Sequence, residues 1–283
     1  MQVRKRPRGP LPLTNKGQLS LFFVGTGSAF SKTLFQNNML IIKGNDHLMI
    51  DCGTRTPVAL HDLGVSTGTI SDFLITHSHA DHVGGLEEVM LKNRYVHRRK
   101  PRIHIPLEYE LELWEHTLRG GSEANERHNG NGLRFSDFWE VVRPAALPDT
   151  PRDMREVVAG SINVKMFRTR HYPEQAKDWQ ESAYSVGLVI DDRILFTGDT
   201  QYDPTLVSEM DEAFRIETIF HDVQFFTGGI HASLDEVLEL PESILSRTHL
   251  MHYPDSYQDN TRRVKQAGLS FTRQWYFYDF DPR

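Results

Sequence analysis

Within six consecutive positions, His77-Ser78-His79-Ala80-Asp81-His82, the chain carries four side chains of the kind that bind divalent metals. Imidazole and carboxylate suit zinc and similar borderline cations. His77 and His79 stand two apart, just after the apolar, strand-like run 72–76. At a strand end that spacing sends both side chains to one face. Asp81 and His82 follow in the turn before Gly84-Gly85, which swings them toward a second point nearby. One loop of four ligands does not complete two metal sites. Three further candidates each follow or close a predicted strand: His171 after 164–170, Asp199 after 194–198, and His252 after 249–251. Gly198 lets the backbone at Asp199 approach an ion closely.

The elements that must position these residues are written in apolar runs and breakers. Residues 20–24 form a β-favouring run ended by Gly25-Thr26-Gly27, hence a buried strand and a tight turn. Residues 38–43 and 47–51 read as a strand pair around Gly44-Asn45-Asp46. Further strands are expected over 72–76, 102–105, 138–142, 162–169, 183–191, 193–197, 217–221 and 248–252. Helices are expected over 56–63, 85–93, 108–118, 234–239 and 257–267. The polar, glycine-rich stretch 120–132 reads as a mobile surface loop or a lid. Strands, then strands alternating with helices, with the cycle repeated in the second half, predict an α/β sandwich of two mixed β-sheets flanked by helices. Residues 1–18, broken by Pro7, Pro10 and Pro12, read as a basic, flexible arm, and residues 19–283 as a single domain.

Bulk properties narrow the function. A chain of 283 residues, 39% hydrophobic and 25% charged, buries a large core without disulfides. Its one cysteine, Cys52, excludes an internal disulfide and fits a reducing compartment, so the cytoplasm is the expected location. No apolar stretch is long enough for a membrane span, and the basic start lacks the apolar core of a signal peptide. A net charge of −6 argues against a dedicated binder of long nucleic acid. The basic runs 4–8 and 98–102 read as a solvated tail and a solvated loop.

Taken in order, His77-x-His79-x-Asp81-His82, His171, Thr197-Gly198-Asp199-Thr200 and His252 resemble the successive metal motifs of the metallo-β-lactamase superfamily. The opening Gly25-Thr26-Gly27-Ser28-Ala29 and the segment Ile50-Asp51-Cys52-Gly53 match as well. The resemblance, from about residue 19 to 255, implies the αββα sandwich of that fold and two divalent ions. Zn2+ is the first expectation, with Mn2+ or Fe as alternatives. It implies that His77, His79 and His171 hold one ion, that Asp81, His82 and His252 hold the other, and that Asp199 bridges them. A pair roughly 3.5–4 Å apart clamps a phosphate and supplies hydroxide at neutral pH. No cysteine stands near Asp199, unlike in most zinc lactamases.

Within the superfamily the chain is most similar to the ribonuclease Z-like phosphodiesterases. His221-Asp222-Val223-Gln224 stands where that branch has His-Glu-Ala-Thr, and His231-Ala232-Ser233 resembles its His-Ser-Thr. By that analogy His231 is the general acid that protonates the leaving oxygen and Asp222 orients it. Asp81, His231 and Asp222 are therefore the expected catalytic residues. In ribonuclease Z a tRNA-gripping arm lies between the third-motif histidine and the bridging aspartate. Here residues 171–199 hold only a short loop and two strands, which leaves no room for it.

The expected substrate is a small phosphodiester such as a cyclic nucleotide. Bacterial and phage cyclic-nucleotide phosphodiesterases of this fold, including those that counter Pycsar defence, are similar in layout. Three alternatives stay open: a ribonuclease Z-like tRNA 3′ endonuclease, another ester or lactone hydrolase of the same fold, and a silent binding module. Nucleic acid is the less favoured partner, no membrane partner is expected, and the resemblance implies a homodimer. His47, His61, His97, His104, His116 and His128 read as surface or core filler, and His249 as facing away from His252. Cys52 is expected to be buried and inert. Tyr172, Trp179 and Tyr184 flank the site in sequence, as stacking or packing aromatics. Residues 106–159 carry the least signal and are expected to shape the substrate pocket.

Overall fold

All five residues of the strand Val186–Ile190 are buried, yet they divide between two cores. Val186, Leu188 and Ile190 face one core, and Val189 faces the other. The same period of two separates Ile194 and Phe196 from Leu195, and Phe220 from Ile219. Strands buried on both faces need a packed layer on each side. The computed structural model, which describes residues 1–282, meets that need with two eight-stranded sheets and helices outside them.

The first sheet runs in the order Gln2–Lys5, Tyr276–Phe280, Leu19–Phe23, Met39–Lys43, Asp46–Ile50, Asp72–Leu74, Arg102–His104, Glu140–Val142. The second runs Ala145–Leu147, Met154–Ala159, Ile162–Arg168, Val186–Ile190, Ile194–Phe196, Thr218–Asp222, Thr248–Met251, Ser270–Phe271. Each sheet is antiparallel up to its fifth strand and parallel beyond it. The repeated cycle expected from the sequence is thus one plan used twice. Its consequence is positional. The parallel strands end together, and their carboxyl ends are where an α/β sheet usually builds its site.

Several elements differ from expectation. Residues 2–5 of the expected loose arm form an edge strand on Tyr276–Phe280, in register from Gln2 opposite Asp279 to Lys5 opposite Tyr276. The Arg4 guanidinium pairs with Asp279 and sits 3.8 Å from the Phe277 ring centroid, and Arg6 lies 4.8 Å from that of Trp275. Ion pairing and cation–π contact thus occupy charges that read as solvated. Stretch 120–132 is partly ordered: Arg127–His128 and Asn131–Gly132 form a small hairpin around Asn129 and Gly130, both at positive φ. The strand expected over 138–142 is only Glu140–Val142, because Phe135–Phe138 is helical and the Asp137 carboxylate accepts the Arg134 N–H at 2.8 Å. Region 106–159 supplies two further unexpected strands, Ala145–Leu147 and Met154–Ala159. The helix Leu206–Phe214 was also unforeseen; it buries Leu206, Val207 and Met210 in the core that holds Val189, Leu195 and Ile219. Among the described residues, no helix is long and apolar enough to cross a membrane.

Candidate metal centre

All seven ligand-type side chains meet at the carboxyl-end edge of the two sheets. His77 Nε2 lies 3.0 Å from His79 Nδ1, and His171 Nε2 lies 3.1 Å from the same atom. These three nitrogens form one cluster. In the second, Asp81 Oδ2 stands 3.2 Å from His82 Nε2 and 3.1 Å from His252 Nε2. Asp199 Oδ2 lies between the clusters. It is 3.2 Å from His82 Nε2 and 3.3 Å from His252 Nε2, and 3.9 and 4.0 Å from Nε2 of His77 and His171.

The backbone explains how one short loop serves both clusters. His79 keeps extended φ and ψ as the cap of the short helix Ala80–Val83, so Asp81 and His82 turn away from the face that His77 and His79 share. At the opposite wall Gly198 adopts φ +63° to turn the chain into Asp199, and a Cβ there would meet the Val186 carbonyl oxygen at 2.5 Å. Gly198→Ala is expected to cost about 1–3 kcal/mol and to lower the melting temperature. An unchanged thermal transition would show that the turn relaxes freely.

An outer ring of polar groups fixes the imidazoles. Asp51 Oδ2 lies 2.7 Å from His82 Nδ1, and the Asp51 carboxylate also accepts the Thr76 N–H at 2.7 Å and the Thr76 hydroxyl at 2.8 Å. His171 Nδ1 donates to the Ile230 carbonyl at 2.8 Å. A carbonyl only accepts, so Nδ1 carries the proton and Nε2 turns its lone pair inward. Asp222 serves two rings, with Oδ2 2.7 Å from His231 Nδ1 and Oδ1 3.3 Å from His252 Nδ1. The Thr200 N–H holds Asp222 Oδ2 at 3.0 Å. Sequence reasoning gave no role to Asp51, Thr76 or the Ile230 carbonyl; the segment Ile50-Asp51-Cys52-Gly53 was the only signal for the first. Asp51→Ala is expected to weaken metal affinity roughly 10–100-fold. Competition against a chromogenic chelator measures this, and wild-type affinity in the variant would remove Asp51 from the support of His82.

The residues fit a pair of divalent cations. Among the described residues, both Asp199 carboxylate oxygens are buried without a hydrogen-bond partner, as is His82 Nε2. The imidazole nitrogens near Asp199 lie at ion-pair distance but out of line for a hydrogen bond. A buried carboxylate left this way is costly unless a cation completes it. Burial holds the His77 imidazole well below its usual range, lowers His79, and pushes His171 down to about 3. These rings are therefore neutral near pH 7, the form that ligates a metal. Burial alone would raise the Asp81 and Asp199 carboxyls, but the facing His82 and His252 imidazoles outweigh it and keep both ionised.

Other expectations separate here. Tyr184 is buried and stacked on Tyr109, ring centroids 4.3 Å apart, so it belongs to the core. Tyr172 lies 4.6 Å from the His79 ring centroid, while Trp179 is half-buried and lends its carbonyl to Arg168. His249 packs on Phe220 and Tyr278 rather than on the centre, and His104 is buried against Asp72 at 2.9 Å. Cys52 is buried, and burial raises its thiol far above the usual range.

A sequence model of the family described as Anti-Pycsar protein Apyc1 matches residues 19–278. The chain belongs to the Apyc1 family. Anti-Pycsar protein Apyc1 of Bacillus phage BSP38 is 39% identical over 241 residues, which cover 83% of this chain and 89% of that protein. Among solved structures, a diphosphatase of the PhnP family superposes with a TM-score of 0.70 at 14% identity, over 93% of this chain and 98% of that one. The metallo-β-lactamase-fold protein YhfI from Bacillus subtilis gives 0.64 at 14% identity, over 93% of this chain and all 100% of the other. At those identities the likeness is one of fold, and it makes this Apyc1-family chain a metallo-β-lactamase-fold protein.

Proposed function

We propose that this chain is a binuclear metal-dependent phosphodiesterase that hydrolyses a small cyclic nucleotide. In this reading His77, His79 and His171 would hold one divalent ion and Asp81, His82 and His252 the other, with Asp199 as the carboxylate they would share. Zinc is the first candidate, the working unit is a homodimer, and the compartment is the cytoplasm. Bound divalent cations supply Lewis acidity toward a phosphoryl oxygen and make hydroxide available near neutral pH.

The observation that carries the reading is His231, a histidine beside the ligands whose ring remains reachable. Its side chain is 19% exposed, and its Nδ1 lies 2.7 Å from Asp222 and 4.0 Å from Asp199 Oδ2. With Nδ1 held by Asp222, Nε2 is left to face a substrate. Hydrolysis of a phosphodiester places one proton on the leaving oxygen, and His231 Nε2 is the group positioned to give it. Asp222 orients the ring. Membership of a family named for anti-Pycsar proteins, together with the short segment 171–199, supports a cyclic nucleotide over tRNA.

The test is a panel presented to zinc- or manganese-loaded protein: bis-p-nitrophenyl phosphate, cyclic mononucleotides, and a precursor tRNA with a 3′ trailer. Cleavage of cyclic nucleotides without trimming of the tRNA is the expected result. Trimming of the tRNA with no turnover of any cyclic nucleotide would overturn the proposal.

A further inference from the structure

Two large apolar side chains beside the centre stand in water: Phe30 is 84% exposed and Phe226 is 65% exposed. Single exposed hydrophobics are ordinary. These two, from loops nearly two hundred positions apart, line the same pocket of about 240 Å³, and His231 and His252 stand in its wall. The pocket is thus continuous with the candidate catalytic site.

Both loops are tied down. The Asp255 carboxylate accepts the Ser31 hydroxyl, the Lys32 N–H at 2.8 Å, the Thr33 N–H at 3.3 Å and the Thr33 hydroxyl at 2.7 Å, which fixes the chain just after Phe30. On the other side the Gln224 amide donates to the Phe226 carbonyl at 3.0 Å and to that of Gly228. The Gly229 N–H is held by Glu174 at 2.8 Å, and the Ile230 carbonyl by His171. The phenylalanines are therefore presented on braced backbone. The remaining lining includes Ala29, Val223 and Pro254, while Ser31, Gln224 and Asp255 are already engaged with the loops. Such a wall suits a flat, weakly polar face rather than a charged group.

Resting on the phosphodiesterase reading, we infer that Phe30 and Phe226 form the base subsite, gripping the nucleobase by its ring faces while the phosphodiester lies at the metal centre. Aromatic stacking accepts any base, because every base has a π-face. This contact lies away from the reacting atoms, so its energy appears chiefly in KM.

The experiment compares a cyclic nucleotide with ribose 3′,5′-cyclic phosphate, which lacks the base, on wild type and on F30A, F226A and F226W, with sedimentation run on each. Each alanine variant is expected to raise KM for the cyclic nucleotide roughly tenfold or more and to leave the baseless substrate unchanged. F226W is expected to restore the wild-type value. Equal losses on both substrates, no loss on either, or a shift from dimer to monomer with KM unchanged would overturn the base subsite while the phosphodiesterase reading stands. Wild-type protein that turns over neither substrate would sink the reading itself, and the subsite with it.

Discussion

Asp199→Asn is expected to empty both halves of the centre and to lower phosphodiester turnover by roughly a thousandfold or more. The substitution keeps the shape of the side chain and removes its charge. The oxygen at stake, Oδ2, lies 3.2–3.3 Å from the second cluster's imidazoles and 3.9–4.0 Å from those of the first, so neither half is independent of it. An amide in its place gives a weaker donor oxygen or turns an N–H toward imidazole nitrogens that carry their own protons or need their lone pairs. Asp81→Asn provides the contrast, because the ion pairs of Asp81 are with His82 and His252, both in the second cluster. Metal counted per folded chain after loading and gel filtration should fall for both ions in the Asp199 variant and for one in the Asp81 variant. Circular dichroism separates metal loss from unfolding. Full metal content in Asp199→Asn would remove it from the bridging position.

How much of this was legible in the sequence depended on how local each geometry is. The cluster at 77–82 and the Gly198-Asp199 turn are decided by a few residues of backbone, so spacing alone revealed them. Asp51 was not legible as an orienting group because the ring it holds, His82, lies 31 positions further on. The support of His171 comes from the main-chain carbonyl of Ile230, which leaves no side-chain signature at all. Arg4 read as part of a solvated tail because its partner Asp279 lies 275 positions away, in a strand that was itself unforeseen. The helix Leu206–Phe214 was different: Leu206, Val207 and Met210 already stood at helical spacing, and the signal was there to be used. Phe30 and Phe226 sit in loops without periodicity, and only the fold shows that they share a pocket.

The doubled sheet plan also explains why a single carboxylate has two duties. Thr218–Asp222 and Thr248–Met251 are neighbouring parallel strands with Asp222 in register with Met251, so the strand ends bring Asp222 beside His252. The next segment returns through the bridge between Gln224 and Ser233 and sets His231 on the other Asp222 oxygen. The proposed acid and the proposed ligand are therefore braced by one group, and Asp222→Asn is expected to disturb both metal content and turnover.

His231→Ala is expected to separate those two effects. Turnover of a cyclic nucleotide should fall roughly a hundred- to ten-thousandfold, with metal content unchanged. The reason is the leaving group. Ring opening of a cyclic nucleotide expels a ribose alkoxide, a strong base that needs a proton as it departs. p-Nitrophenolate is a weak base and departs without one, so the variant should retain most of its rate on bis-p-nitrophenyl phosphate. A structural role gives a different pattern. The His231 ring stacks on His252 at a centroid distance of 4.7 Å, and a collapse of that packing would displace a ligand. Both substrates would then suffer equally, and metal would be lost as well. A rate loss confined to the poor leaving group, at full metal occupancy, is the pattern that only a proton donor produces.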